Sequence, residues 1–579
     1  MNIIYFFSKS SLNNHVYSHR NYIVLKYIFK PLLFIFFYLC FFTKIQAQQT
    51  ELKIIEKDSI QLQLFKSISY SRLHKNKNLV LNEIQLYSEK IKNLGFINNN
   101  YTIIDYDSIL ITSFNLGIQT KTIKVRYNSE ILKIQLLKDF PHNFTDDHFE
   151  LPINKVETTL KAITKFFETK GNSFVEVFLT DFEYHNNLLT ATLQINQSEK
   201  RVIHKIIMKG YPEFPKKFYK NHFKFKPNLT FNINKVQEYS DLLKKIPFIN
   251  EIKPPEVLFT NDSTIIYLYA QKKNQNKFNG LIGFSNEVNN SKLVFTGNLD
   301  INLSNIFNKG EEISINWKSS LNDYKLFEIN FFTPYIYNTK FSPRVKFSIS
   351  KQDTSYINIK TNLKLNYNIN SSHSINGLFK KENSTISTST NNTSFQDFKK
   401  YLAGISYSHI SNLKNPISFE IGYLIGSKKT DSNKTQLMNL EFLGEYNFYL
   451  SQKSSFLIRQ QNEIIFSNSV LENELFRIGG TNTIRGFDEL AIFSSNYSIT
   501  NLEYHLKLNQ SSSIYSISDF GYSENKITRI KSNLYSFGIG YAINNEKSST
   551  NLMYAVGKTD SNPLKFNNSK IHLKIVYFF

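Results

Sequence analysis

Lys570-Ile571-His572-Leu573-Lys574-Ile575-Val576-Tyr577-Phe578-Phe579 sets Ile571, Leu573, Ile575, Tyr577 and Phe579 at every second position. A period of two belongs to an extended strand with one apolar face. A tilted strand of about ten residues also crosses a bilayer, which a helix of that length does not. The same texture fills the chain from Phe278 onward. Sixteen alternating runs separated by Asn, Ser, Lys and Gly can be marked: Phe278–Asn286, Lys292–Asn302, Glu311–Ser319, Lys325–Pro334, Arg344–Lys351, Ile357–Asn368, Ser372–Lys380, Tyr401–Ile410, Ile417–Gly426, Gln436–Tyr449, Ser455–Phe466, Ser498–Leu508, Ile514–Tyr522, Leu534–Ile543, Asn551–Val556 and Lys570–Phe579. Lipid offers no partner to a free backbone group, so strands cross it only as a closed antiparallel barrel. An even strand count keeps both ends of the barrel on one side. The long connections are then expected on the other side, at Lys381–Lys400, Ser427–Thr435 and the segment between the eleventh and twelfth runs.

Composition agrees with this reading. The 579 residues include 51 Phe and 34 Tyr, and 20% are charged. Aromatic residues favour strands, and so much charge excludes a bundle of transmembrane helices. The one long apolar run, Pro31–Phe42, is too short for a spanning helix. Lys26 and Lys30 precede it and Ile45-Gln46-Ala47 follows, so residues 1–47 read as a secretory signal region cleaved after Ala47. Cys40 is the only cysteine and lies inside that region, which leaves no disulfide or thiolate metal site beyond it. The formal charge of +22 points to anionic lipid or acidic partners rather than nucleic acid, because an exported chain meets none.

The first half repeats a smaller pattern. Ile153-Asn154-Lys155-Val156 and Ile233-Asn234-Lys235-Val236 each open an amphipathic helix, with Asn154 and Glu157, and Asn234 and Gln237, spaced as capping boxes. Val156, Leu160, Ile163 and Phe167 share one helix face; Leu81, Ile84, Tyr87, Ile91 and Leu94 give another, stopped by Gly95. Strand pairs follow each helix: Tyr101–Asp105 with Thr122–Tyr127, Phe174–Asp181 with Leu188–Ile195, and Val257–Thr260 with Thr264–Ala270. Three α+β units are expected, at 48–128, 129–200 and 201–276, before a barrel at 277–579. His142, Asp146, Asp147, His148 and Glu150 cluster between two units, and a solvated linker explains them better than a metal site.

One long connection carries chemistry. Leu475-Phe476-Arg477-Ile478-Gly479-Gly480-Thr481-Asn482-Thr483-Ile484-Arg485-Gly486-Phe487-Asp488-Glu489 lies within it. Gly479, Gly480 and Gly486 permit backbone geometry or close approach that other residues forbid. Nine of the 69 basic residues are arginines, so in this lysine-rich chain an Arg marks a need for a planar fork.

Ile484-Arg485-Gly486-Phe487, with Gly479-Gly480 before it and the eleventh and twelfth of sixteen strands around it, resembles the signature of the bacterial surface antigen superfamily. That superfamily includes the barrel-assembly insertase, the translocation and assembly module barrel and the two-partner secretion exporters. Asn302–Glu311, Phe331–Tyr335, Ser518-Asp519-Phe520-Gly521 and Asn501-Leu502-Glu503-Tyr504 are similar to further motifs of its barrel. Val202–Gly210, the helix from Asn234 and Pro247-Phe248-Ile249 resemble a polypeptide-transport-associated (POTRA) module. The resemblance covers residues 200 to 579. It implies that the loop folds back into the barrel lumen, where Arg485 pairs with wall carboxylates; Asp519 and Glu503 are the candidates, and Phe487 the apolar anchor. Gly280 and Gly283 each weaken the packing of the first strand, so the seam between the first and last strands, at Gly280, Ile282, Gly283, Tyr577 and Phe579, is expected to be the weakest part of the barrel. Lys574 departs from the commonest terminal signal, which has Gly there.

The expectation is therefore an all-β transmembrane barrel of sixteen antiparallel strands, preceded by α+β POTRA-like domains in the periplasm. It sits in the outer membrane and assists insertion or translocation of unfolded client polypeptides, with periplasmic accessory proteins as further partners. An exporter for one client and a passive pore are the alternatives. No catalytic residue, cofactor or metal is expected, and no enzyme.

Overall fold

The computed structural model describes residues 50–55, 65, 68–133, 145–185, 188–261, 263–287, 290–319, 324–386, 395–411, 415–560 and 563–579, with backbone alone for 281–296. The signal region with Cys40, residue His142 and residues 387–394 of the Lys381–Lys400 connection lie outside these; residues 381–386 and 398–400 of that connection belong to strands.

Three small sheets share one plan. In the first, Thr50–Ile55 pairs with Leu73–His74 and runs parallel to Ile109–Asn115, which forms a hairpin with Asn100–Tyr106. The second has Thr122–Arg126, His148–Pro152, Leu188–Asn196 and Glu176–His185 in the same places, and the third has Val202–Lys209, Leu229–Thr230, Thr264–Lys272 and Ile249–Phe259. A helix crosses from the second to the third strand of each module, at Lys77–Asn93, Val156–Thr169 and Ile233–Lys244. The third module adds Lys217–Asn221, which completes the strand-helix-helix order of its sequence.

Several expectations shift by one element. Thr122–Arg126 is not the hairpin partner of Tyr101–Asp105; it opens the second sheet, so a boundary at 128 cuts that sheet in two. The true partner is Ile109–Asn115, reached through a tight turn at left-handed Asp107 that the sequence hides among polar residues. Consequently His148 and Glu150 belong to a strand rather than a linker. Neither expected capping box forms. Asn232, not Asn234, caps the third module's helix, accepting from the Asn234 amide at 2.8 Å, and a single 3₁₀ turn at Ile153–Lys155 precedes the second. On the first helix Val80, Ile84, Tyr87 and Ile91 are buried, whereas Leu81 and Leu94 are exposed. Gly95 does end that helix, at φ +99°, donating to the Lys92 carbonyl.

Contacts divide the chain into two compact units, the second from Ser198 onward together with 167–174. In this unit the third module leads into a closed barrel of sixteen antiparallel strands. They run Lys277–Glu287, Asn290–Ser304, Glu312–Ser319, Tyr324–Phe332, Phe341–Gln352, Tyr356–Asn368, His373–Ile386, Phe398–Ser411, Ile417–Lys429, Lys434–Tyr449, Ser454–Ser467, Asn496–Lys507, Ser512–Asn525, Ile530–Asn544, Ser548–Thr559 and Lys570–Phe578. All sixteen alternating runs are present, extended at the end far from the module by polar residues such as Lys428 and Lys429 that alternation does not mark. That extension shortens the Ser427–Thr435 connection to Thr430–Asn433, so it is not a long loop.

Outward-facing Phe327, Ile329, Phe331, Leu363, Leu365, Ile405, Tyr423, Phe537, Ile539 and Tyr541 are all exposed. A continuous apolar outer face on closed strands is a lipid-facing belt. Inside, Lys364 meets Glu420 at 2.6 Å, and Lys380 pairs with Glu441. The lumen is therefore polar.

The barrel and third module are one packed body. Tyr335, in the turn after the fourth strand, is 6% exposed and stacks edge-on against Phe218 of the module's apolar core. His222 lies 3.4 Å from the Tyr335 hydroxyl, and its other ring nitrogen is 2.8 Å from the Leu242 carbonyl. In the turn after the second strand, buried Asn305 donates to the Tyr211 hydroxyl at 2.8 Å, and a side chain at Gly310 would meet Phe218 at 2.9 Å. The sequence motifs Asn302–Glu311 and Phe331–Tyr335 are thus docking turns for the module.

Candidate functional site: the loop inside the barrel

The connection between the eleventh and twelfth strands spans 468–495 and carries structure of its own. Phe476–Ile478 and Ile492–Ser494 form a two-stranded ribbon, with Ile478 opposite Ile492. The chain between them turns back at Gly479-Gly480, at φ +114° and +91°. A β-carbon on Gly479 would overlap the Asp488 carbonyl oxygen, so that position of the turn has no room for another residue.

Arg485 is the centre of the loop's far limb. Its Nε donates to Asp519 Oδ2 at 2.9 Å while Nη2 donates to Oδ1, a side-on bidentate pair. Nη1 donates to Glu503 Oε1, and the Arg485 backbone amide adds a bond to Asp519 Oδ2 at 2.9 Å. Both carboxylates stand on the wall, Asp519 on the thirteenth strand opposite Asn501 and Glu503 two residues further along the twelfth. The second oxygen of Glu503 is 2.7 Å from His505 Nε2, and His505 stacks on Tyr515 with ring centres 4.5 Å apart. Arg485 is 4% exposed and Asp519 fully buried, so the guanidinium has exchanged water for carboxylates.

Apolar packing surrounds this pair. Ile484 is fully buried with Ile478, Tyr497, Ile499 and Leu534, and Phe487 packs at the edge of the cluster. Gly521, in the same motif as Asp519, makes space for Ile484: a side chain there would lie 3.0 Å from its Cδ1. Gly486 sits against Gly557 of the fifteenth strand, where a β-carbon would come within 2.6 Å of the Gly557 nitrogen. Gly557 is one residue that sequence reasoning missed, because its partner is 71 positions away in a chain with 20 glycines.

Arg477, in the first strand of the ribbon, makes a second anchor that its local sequence does not mark. Its guanidinium lies between the rings of Tyr324 and Phe493, at 4.4 and 4.1 Å, and donates to Gln352 at 2.6 Å and the Tyr356 hydroxyl at 2.9 Å. Phe493 belongs to the ribbon itself, whereas Tyr324, Gln352 and Tyr356 stand on the fourth to sixth strands of the wall, half the circumference from Asp519. Asp488 pairs with Lys570 at 2.6 Å and Glu489 with Lys318 at 2.7 Å. The loop therefore crosses the lumen.

At the seam, the first and last strands pair through Lys277↔Phe578 and Phe278↔Tyr577 alone among the described residues. Every other junction runs over eight or more pairs. Tyr577 stands opposite Phe278 rather than near Ile282, which faces Gly297 of the second strand, as Gly283 faces Thr296. Gly280 faces Leu299, and the Phe579 amide donates to the Asn276 carbonyl at 3.1 Å.

Among solved structures, CdiB from Escherichia coli is similar at 13% identity and a TM-score of 0.53, over 87% of this chain and 98% of that one. CdiB from Acinetobacter baumannii shows 14% identity and 0.48, over 91% and 100% of the two chains. BamA from Haemophilus ducreyi lacking POTRA domains 1–3 shows 12% and 0.47, over 78% and 98%. Neither family models nor curated proteins match the chain. The likeness to the Escherichia coli protein is one of fold.

Proposed function

We propose that this protein sits in the bacterial outer membrane with its modules in the periplasm and assists insertion or translocation of other polypeptides, without enzymatic chemistry or a cofactor. The observation that carries the reading is the pairing of a weak seam with a pinned loop. Among the described residues fifteen junctions run over eight or more pairs and one is held by two residue pairs at the module end. Strand edges that part there present free backbone groups to an incoming strand in lipid, where such groups have no other partner. A passive pore fits less well, because the loop crosses the lumen from the fourth strand to the thirteenth.

Client contact fits the first module. Its edge strand Asn100–Tyr106 is exposed at every residue, including Tyr101, Ile103, Ile104 and Tyr106. The corresponding edge of the third module carries Pro254 and Pro255, and that of the second is bulged at left-handed Asp181. Proline and bulges blunt edge pairing, so the first edge is the best template for an extended segment. Lipid, unfolded clients and periplasmic accessory proteins are the partners this reading requires. Export of one dedicated client remains the second reading, favoured by the fold shared with CdiB from Escherichia coli. Depleting the protein and measuring the outer-membrane proteome separates them. Loss of many barrels supports insertion, loss of one secreted protein supports export, and no change contradicts both.

A further inference from the structure

The near limb of the loop ends in a 3₁₀ turn, Glu472–Glu474, seated on a different part of the wall from Arg485. The Glu474 side chain has no exposed surface. One oxygen is 2.5 Å from Lys428 Nζ and the other 3.2 Å from Lys400 Nζ, whose side chains are 1% and 7% exposed. Lys400 also meets Glu382 at 2.6 Å, and Glu382 meets Lys360 at 2.9 Å. Beside it, buried Asn473 donates to Ser384 Oγ at 2.7 Å and the Gln396 carbonyl at 2.8 Å, and its own carbonyl accepts from Asn358 at 2.6 Å. These wall residues stand on the sixth to ninth strands or in the connection joining two of them.

We propose that Glu474 is the lock that keeps this loop across the lumen, a positioning residue distinct in role from Arg485. Two features argue for it. The first is charge count: three lysines and two carboxylates meet here, and one carboxylate belongs to the loop. Without it, Glu382 alone is left to three lysines and Lys428 loses its carboxylate partner, and unpaired buried charge is strongly unfavourable. The seat therefore holds the near limb in place. The second is polarity. At the far limb the loop supplies the cation and the wall the carboxylates; here the loop supplies the carboxylate and the wall the cations. Neither limb can occupy the other's seat without bringing like charges together, so the loop has one register. Freeing Arg485 loosens the tip, while Arg477 and Glu474 still hold the ribbon over the lumen. Freeing Glu474 releases the limb that enters from the wall.

Conductance of the purified full-length protein in planar bilayers tests this without reference to any client. Glu474→Gln keeps the shape and loses the charge. It is expected to raise mean conductance roughly tenfold or more, since removing one partner of a buried pair shifts an equilibrium by at least that factor. Lys428→Met is expected to do the same, and the double variant no more than either alone. Arg485→Lys is expected to leave conductance near the parent while exposing the loop tip to protease. A cysteine pair at Asn473 and Ser384, oxidised in the Glu474→Gln background, is expected to restore the closed state, which a general defect in folding does not permit. Parent-like conductance in folded Glu474→Gln overturns the proposal. So does an Arg485→Lys variant that opens as far as Glu474→Gln, or an oxidised cysteine pair that leaves the lumen open.

Discussion

At the module end of the barrel Tyr335 enters an aromatic core, whereas across the lumen Arg485 and Glu474 enter seats of opposite charge. Both contacts hold a connecting segment against something else, but by different physics. Apolar packing is non-directional and grows with area, so it makes a joint that is strong and indifferent to small errors. Buried ion pairs are nearly balanced against desolvation and depend on geometry, so they hold one arrangement and release it when a partner is lost. The module joint is built to stay and the loop to be held conditionally.

The sharpest challenge to this contrast is the seam, which belongs to neither class. Cysteines at Phe278 and Tyr577, opposed in the ladder, are expected to form a disulfide that leaves heat-modifiable gel mobility intact and abolishes client assembly. Full activity of the oxidised form places transport elsewhere. Next in size, Tyr335→Ala removes an aromatic anchor from a packed core, at about 3 to 5 kcal/mol. The third module should become protease-sensitive while the barrel stays folded; an unchanged digestion pattern removes the claim of one packed body.

A pH effect of similar scale separates the two ends. Burial, aided by the charge of Lys245, pulls the His222 imidazole from 6.5 down to about 4, against the opposing bond to Leu242. Folded His222 stays neutral while the unfolded chain takes up a proton, so the joint is at full strength above pH 6.5 and weakens as pH falls toward 4. The loss approaches about 3 kcal/mol at the bottom of that window. Proteolysis at pH 4.5 and 7 in the parent and His222→Gln checks this, the variant being expected to show the smaller dependence. The smallest effect belongs to Gly557→Ala, an overpacking of about 1 to 3 kcal/mol against Gly486 and Phe487. It should raise protease sensitivity at the loop tip alone.

Much of this is legible in the sequence. Alternation marked every barrel strand because lipid on one side and water on the other force a period of two. Arg485 stands out because arginine is scarce here, whereas Asp519 and Glu503 come from the family resemblance that their motifs carry. What stayed hidden depended on distance or abundance. With 69 basic residues of which nine are arginine, 60 are lysines, and nothing local singles out Lys400 or Lys428. The seam register escaped because Gly280 and Gly283 suggested weakness without saying which residue faces which. The displaced module boundary came from a hairpin whose turn at Asp107 carries no glycine to announce it.

The far limb of the loop is held by the geometry of the Arg485 fork, not by its charge alone. Arg485→Lys tests it directly, since lysine keeps the charge and loses the bidentate bond to Asp519. Removing one partner of a desolvated pair costs about 3 to 5 kcal/mol at most, and a hydrated lumen lowers that. The measurement is protease cleavage within the loop, with outer-membrane protein levels read in the same cells. The expected result is a cleavable loop and impaired client assembly in Arg485→Lys, nearly as in Arg485→Ala, with heat-modifiable mobility retained. An Arg485→Lys protein indistinguishable from the parent in both readings contradicts the account.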